Sequence, residues 1–149
     1  MVSVDLIKKL REATGVGIAD CRQALEGSDG NLEKAKEILK KRGIEKAEKK
    51  SGRETNAGVV HAYVHSGDKV GALISLSCET DFVAKTAEFK ELAHEVAMQV
   101  ASMNPKDVDE LLEQEYIRDS KVKIGDLVKS AIAKFGENIK IEKIVRFSI

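Results

Sequence analysis

The chain is predicted to adopt an α+β fold, on three observations. The first 43 residues place apolar side chains only at helical spacing, residues 59–76 alternate along the chain as strands do, and helical stripes beyond them give way to an alternating C-terminal segment. The expected organisation is a three-helix bundle at 1–43, a charged linker at 44–55, and a core domain at 56–149 with a three-stranded antiparallel sheet packed with helices. A length of 149 residues allows a small domain joined to a larger one. The single proline, 42% apolar content and 34% charged content fit a globular chain rich in helix. With only 4% aromatics, aliphatic side chains must fill the core.

In the first segment Ser3 is placed to cap, Asp5 lies in the first turn, and Leu6, Ile7, Leu10 and Ala13 form the stripe. Thr14, Gly15, Val16 and Gly17 interrupt it. Ile18, Cys21, Ala24 and Leu25 mark a second helix, broken again at residues 27–30. Leu32, Ala35, Ile38 and Leu39 mark a third, for which Gly43 is the expected C-terminal cap. Helices this short cannot stand alone against the cost of nucleation, so they should pack together as a docking module.

Residues 40–54 are almost wholly charged and place the domain boundary. An exposed helical linker is the reading favoured over an RNA-binding strip, because glutamates interleave the lysines and no aromatic is present. Next, residues 59–65 and 70–76 alternate on either side of Ser66, Gly67 and Asp68, the pattern of a β-hairpin. Phe89, Leu92, Ala93, Val96, Ala97, Val100 and Met103 predict the longest helix, stopped at Asn104 and Pro105. Residues 105–119 give no clear assignment. Ile124, Leu127, Val128, Ala131, Ile132 and Phe135 predict another helix, with Gly136 as its cap. Ile139, Ile141, Val145, Phe147 and Ile149 share one parity, broken only at Lys143, and predict a third strand. Helices can cover only one face of such a sheet, which leaves the other for a homodimer.

Several function classes are disfavoured. Equal numbers of basic and acidic residues, 25 each, give no global field for nucleic acid or an anionic membrane. No apolar run could span a bilayer and the N-terminus lacks a secretory pattern, so a cytoplasmic location is expected. Cys21 and Cys78 lie far apart in sequence, without metal-ligand spacing to a histidine, and are read as reduced and buried. His61 and His65 share a strand face and His94 lies on a helix, which favours structural or surface roles. Cys78 is a weak candidate for a thiol nucleophile, with no local base. The glycines form neither a dinucleotide-binding fingerprint nor a P-loop, so direct nucleotide binding by the chain is not expected. The reading is a non-enzyme with no cofactor and no metal.

Two motifs point further: Leu10, Arg11, Thr14, Gly15, Gly17, Asp20, Cys21, Ala24 and Leu25, then Cys78, Glu79, Thr80, Asp81, Phe82, Val83 and Ala84. Together they resemble the elongation factor Ts family in its short bacterial form. The likeness continues through Tyr63, His65, Gly71 and Leu73, and through Ile132, Gly136, Glu137, Asn138, Ile139, Arg146 and Phe147. Taken alone, Thr80 to Val83 reads as the start of a helix, with Thr80 capping and Phe82 in the core; the upstream motif favours an exposed loop instead.

The resemblance implies a guanine-nucleotide exchange factor for elongation factor Tu in translation. It implies a ubiquitin-associated-like first domain, and a loop of Thr80, Asp81, Phe82 and Val83 inserted near the Mg²⁺ and phosphate site. Phe82 is the expected wedge, Thr80 and Asp81 hold the loop, and Val83 widens the apolar contact. Arg11, Thr14, Gly15, Val16, Gly17, Asp20 and Cys21 are the expected second contact. Longer members carry two core subdomains, whereas this chain has one sheet-forming unit, which again implies a homodimer. The alternative is a non-exchange binding module, a ubiquitin-associated-like domain fused to a dimerisation domain.

Overall fold

The computed structural model describes residues 1–149. Helices α1 (Val4–Thr14), α2 (Ile18–Glu26) and α3 (Leu32–Lys50) come first. Ser3 accepts a hydrogen bond from the Leu6 N–H at 3.2 Å, and Asn31 from the Lys34 N–H at 3.0 Å, so both helices start where side-chain oxygens satisfy orphan donors. Ile7, Leu10, Cys21, Ala24, Leu25, Ala35 and Leu39 close a small core among the three.

The third helix corrects the expectation at Gly43. It runs unbroken to Lys50, so Gly43 lies in its interior and caps nothing. A Cβ at Gly43 would stand 3.3 Å from the Cβ of Ala133, and the missing side chain therefore lets two helices approach closely. Ala47, one turn further on, is buried in the second core. The stretch expected as an exposed helical linker is helical as far as Lys50, but its helix packs on the rest of the molecule through Gly43 and Ala47.

Strands β1 (Ala57–Val64), β2 (Val70–Cys78) and β5 (Ile139–Ser148) form an antiparallel sheet in the order β1-β2-β5. The β1–β2 pairing sets Ala57 opposite Cys78 and Tyr63 opposite Ala72. Gly58 is required here, since its φ is +151° and a Cβ would come 2.2 Å from the Leu76 carbonyl oxygen. One face is covered by α5 (Ala87–Met103), α7 (Ile124–Phe135) and the buried Ile74, Leu76, Phe89, Val96 and Val100.

The last strand departs from the single parity expected of it. Lys143 pairs with Ser75 and Ile141 with Leu76, so Glu142 is an extra residue, a bulge that flips the alternation. Ile139 and Ile141 therefore point into the core, while Val145 and Phe147 point out. With Val60, Val64 and Leu73 they make an exposed apolar patch on the uncovered face.

The unassigned segment forms α6 (Val108–Glu113) and a small hairpin of β3 (Glu115–Tyr116) and β4 (Asp119–Lys123). A buried glutamine organises it: Gln99 donates to the Glu115 carbonyl at 3.0 Å and accepts from the Ile117 N–H at 3.0 Å. Glu95 accepts from the Tyr116 hydroxyl at 2.6 Å and from Arg118 at 2.7 Å. These partners lie about 20 residues away in sequence, beyond the reach of local periodicity.

Candidate partner-binding site

Strand β2 ends at Cys78, and after Glu79 the chain enters α4 (Asp81–Ala84), a single helical turn. Thr80 is its N-cap, with the Val83 N–H donating to the hydroxyl at 3.4 Å. Asp81 follows in the first turn, exposed, where its charge complements the free N–H groups. The helical reading of these residues and the exposed-loop reading are each right in part: the turn is helical, yet Phe82 is 83% exposed.

The buried partner of that turn is Val83, at 5% exposure, with Ala84 beside it in the main core. This corrects the expected role of Val83. It cannot widen an apolar contact surface, because it faces inward and anchors the turn. Phe82 projects from between two fixed points, the Thr80 cap and the Val83–Ala84 anchor.

Thr80 is tied to Glu137, in the connection between α7 and β5 (Ile139–Ser148), whose carboxylate accepts from the Thr80 hydroxyl at 2.7 Å and from the Glu79 and Thr80 N–H groups at 3.1 and 3.0 Å. Sequence reasoning assigned Glu137 no role. It lies 57 residues from Thr80, and only the antiparallel pairing of β2 with β5 brings the two together.

The second expected contact surface is the break between α1 and α2. Gly15 takes φ +69° and its N–H closes α1 by donating to the Arg11 carbonyl at 2.7 Å. The Thr14 hydroxyl donates to the Leu10 carbonyl at 2.7 Å and accepts from the Val16 N–H at 3.4 Å, which fixes the loop. Arg11, Gly15 and Gly17 are exposed. Gly17 is the N-cap of α2, and Asp20 in its first turn pairs with Lys46 of α3 at 3.1 Å. Cys21 is fully buried, and its thiol donates to the Val16 carbonyl at 3.5 Å. It therefore supports the loop from beneath and cannot touch a partner. Thr14 and Val16 line a groove of about 800 Å³ shared with α3, α5 and α7, so their side chains face the seam between bundle and core.

The environment of Cys78 disfavours a thiolate. Burial first, then the Glu137 carboxylate, pushes its pKa up, and the thiol donates to the Thr80 carbonyl at 3.2 Å. The histidines cluster: His61 Nε2 lies 3.1 Å from His94 Nδ1, and the Tyr63 hydroxyl 2.9 Å from His65 Nδ1. Burial and then the neighbouring His94 lower the His61 pKa from 6.5. No group of three or more His, Cys, Asp or Glu side chains is placed to hold a metal ion. No helix is long and apolar enough to cross a membrane.

A family model described as elongation factor TS matches residues 79–149, the stretch that begins at the Phe82 turn. Proteins named elongation factor Ts from Thermotoga neapolitana and Thermotoga maritima are each 43% identical to the chain over 99% of its length, which covers 97% and 96% of theirs. The corresponding protein of Petrotoga mobilis is 41% identical, again over 99% of this chain and 98% of its own. These alignments run to 191 or 193 positions against a chain of 149 residues, so the relatives carry positions with no counterpart here.

Proposed function

Because this chain belongs to the elongation factor Ts family, we propose that it binds elongation factor Tu and speeds the release of GDP, with Phe82 as the inserted side chain. The observation that carries this reading is the exposure of Phe82, 83%, on a turn held at both ends. An aromatic this open gains nothing for the monomer, whereas a fixed aromatic suits an interface anchor.

Exchange needs no bond-making group. A factor that binds the nucleotide-free GTPase more tightly than the nucleotide-bound form weakens nucleotide binding by the same factor. GDP is held in such proteins by Mg²⁺ and by backbone N–H groups around the phosphates, so a small displacement of those elements removes several contacts together. Phe82 is the displacing group; Thr80 and Val83 keep it from folding away. The Arg11–Gly17 region of the bundle is a second contact, and α3 joins the two without a flexible break. A second attachment raises the effective concentration of the first at its target. The exposed outer face of the sheet, with Val60, Val64, Leu73, Val145 and Phe147, supports a homodimer, since no helix of the fold covers it.

The test is release of fluorescent GDP from elongation factor Tu, followed by stopped flow with the wild-type protein and with Phe82→Ala. An anchor worth about 2 kcal/mol predicts a loss of about 30-fold. Equal acceleration by both proteins would remove Phe82 from the mechanism, and no acceleration by either would remove exchange itself.

A further inference from the structure

Three donors at the exit of β2 converge on one side chain from the far end of the chain. Glu137 Oε1 accepts from the Glu79 and Thr80 N–H groups, and Oε2 accepts from the Thr80 hydroxyl at 2.7 Å. The arrangement is reciprocal, since Glu79 Oε2 accepts from the Asn138 N–H at 2.8 Å, with Arg53 3.7 Å away. Asn138 is itself buried, and its amide donates to the Ser51 and Arg53 carbonyls at 3.3 and 2.8 Å. Glu137 is thus set between the Gly136 cap of α7 and the hydrogen-bonded Asn138 that precedes β5.

A turn of four residues cannot hold its own geometry. Its cap bond from Val83 to Thr80 is long, at 3.4 Å, so the orientation of the turn depends on what fixes Thr80. The Thr80 hydroxyl donates to Glu137 and accepts from Val83, which makes it a relay between the carboxylate and the turn. A carboxylate offers only acceptors and can take all three donors, each as a charge-assisted bond.

We propose that Glu137 is a positioning residue for nucleotide exchange: by holding Glu79 and Thr80 it sets the direction in which Phe82 leaves the surface. The assignment rests on Phe82 being the exchange element. Glu137 touches the partner nowhere in this scheme and acts only through the turn. Its removal leaves the other docking contacts intact, so the rate at saturation falls while the concentration giving half-maximal exchange changes little.

The experiment uses full-length protein and elongation factor Tu loaded with fluorescent GDP. Glu137→Ala is expected to lower the saturating release rate about tenfold, less than the roughly 30-fold expected of Phe82→Ala, because it acts only through that side chain. Glu137→Gln is expected to recover part of it, because the amide oxygen still accepts from both N–H groups. In the double variant with Phe82→Ala, loss of Glu137 should add no further slowing, since both residues act in one step. Amide hydrogen exchange at Glu79 and Thr80 should quicken in Glu137→Ala, a readout independent of elongation factor Tu. A Glu137→Ala protein at the wild-type rate, or a loss that adds in full to that of Phe82→Ala, overturns the assignment while leaving Phe82 in place. A Phe82→Ala protein at the wild-type rate overturns the reading of the turn and the assignment with it. If Glu137→Ala does not fold, Glu137→Gln carries the same readouts, and a wild-type rate with unprotected amides counts against the proposal.

Discussion

Replacing Phe147 with lysine should dissociate the proposed dimer without unfolding the monomer. Phe147 is 74% exposed on the outer sheet face, opposite Gly71, which in turn pairs with Val64. Val145, Leu73 and Ala62 form the next row along the sheet. Complete burial of a phenylalanine side chain is worth about 1.5–3 kcal/mol, of which roughly 1–2 remains to be gained at the present exposure of 74%. A two-fold interface counts each residue twice, so losing Phe147 should weaken dimerisation by about 2–4 kcal/mol, or roughly 30- to 1,000-fold in Kd. A buried lysine adds its own desolvation cost. Sedimentation velocity over a wide concentration range reads the shift, and thermal unfolding of the dilute protein checks the monomer, which should change little because the site is at the surface. A wild-type protein that stays monomeric at all concentrations, or a variant that associates as tightly, would refute the reasoning.

Gly58→Ala should destabilise the core by at least about 2 kcal/mol, because the φ of +151° and the 2.2 Å approach to the Leu76 carbonyl leave no room for a Cβ; a melting temperature within a degree of wild type would contradict it. Acidification should lower stability through His61. Its folded pKa lies below the unfolded 6.5, so the unfolded chain takes up the proton first; the contribution is fully present above 6.5 and is lost as pH falls from there through the folded value. Thermal melts of wild type and His61→Gln at pH 7.5 and 5.5 should differ in slope, and parallel slopes would clear His61 of the effect. Deleting residues 1–50 should slow exchange and also lower the melting temperature of the remainder, since Ala47 belongs to the main core; an unchanged exchange rate would exclude the bundle as a second contact.

Most of the elements were legible because their signals are local. Ser3 and Asn104 mark helix ends, and the stripe from Phe89 to Met103 has no competing period. What escaped depends on partners distant in sequence. Gly43 reads as a cap because glycine after a helical stripe usually is one, and only the approach of Ala133 reveals its use as a spacer. A bulge at Glu142 has no sequence signature, so parity alone places Val145 and Phe147 on the face of Ile139 and Ile141. In the site, the motif around Phe82 is contiguous in sequence, whereas Glu137 lies 57 residues from Thr80. Val83 and Cys21 lie next to exposed residues in sequence, yet face inward.

The exposed apolar groups fall into two arrangements with different physical consequences. On the outer face, five side chains from three strands lie on one rigid surface, which suits a broad and lasting contact. Phe82 stands alone on its turn, with Thr80 and Asp81 exposed beside it. A single aromatic gives an interaction of limited strength, and its rigidity lowers the entropy lost on insertion. An exchange factor needs that combination, because its complex must form readily and then yield when nucleotide returns. By the reciprocity of linkage, a wedge that bound much more tightly would hold the GTPase in its empty state and oppose rebinding by the same factor. Replacing Phe82 with tryptophan separates the two demands: the larger ring should prolong the nucleotide-free complex more than it speeds GDP release. Stopped-flow traces of release, and of complex dissociation on adding GTP, measure both. Equal changes in the two rates would mean that Phe82 does not limit how long the complex lasts.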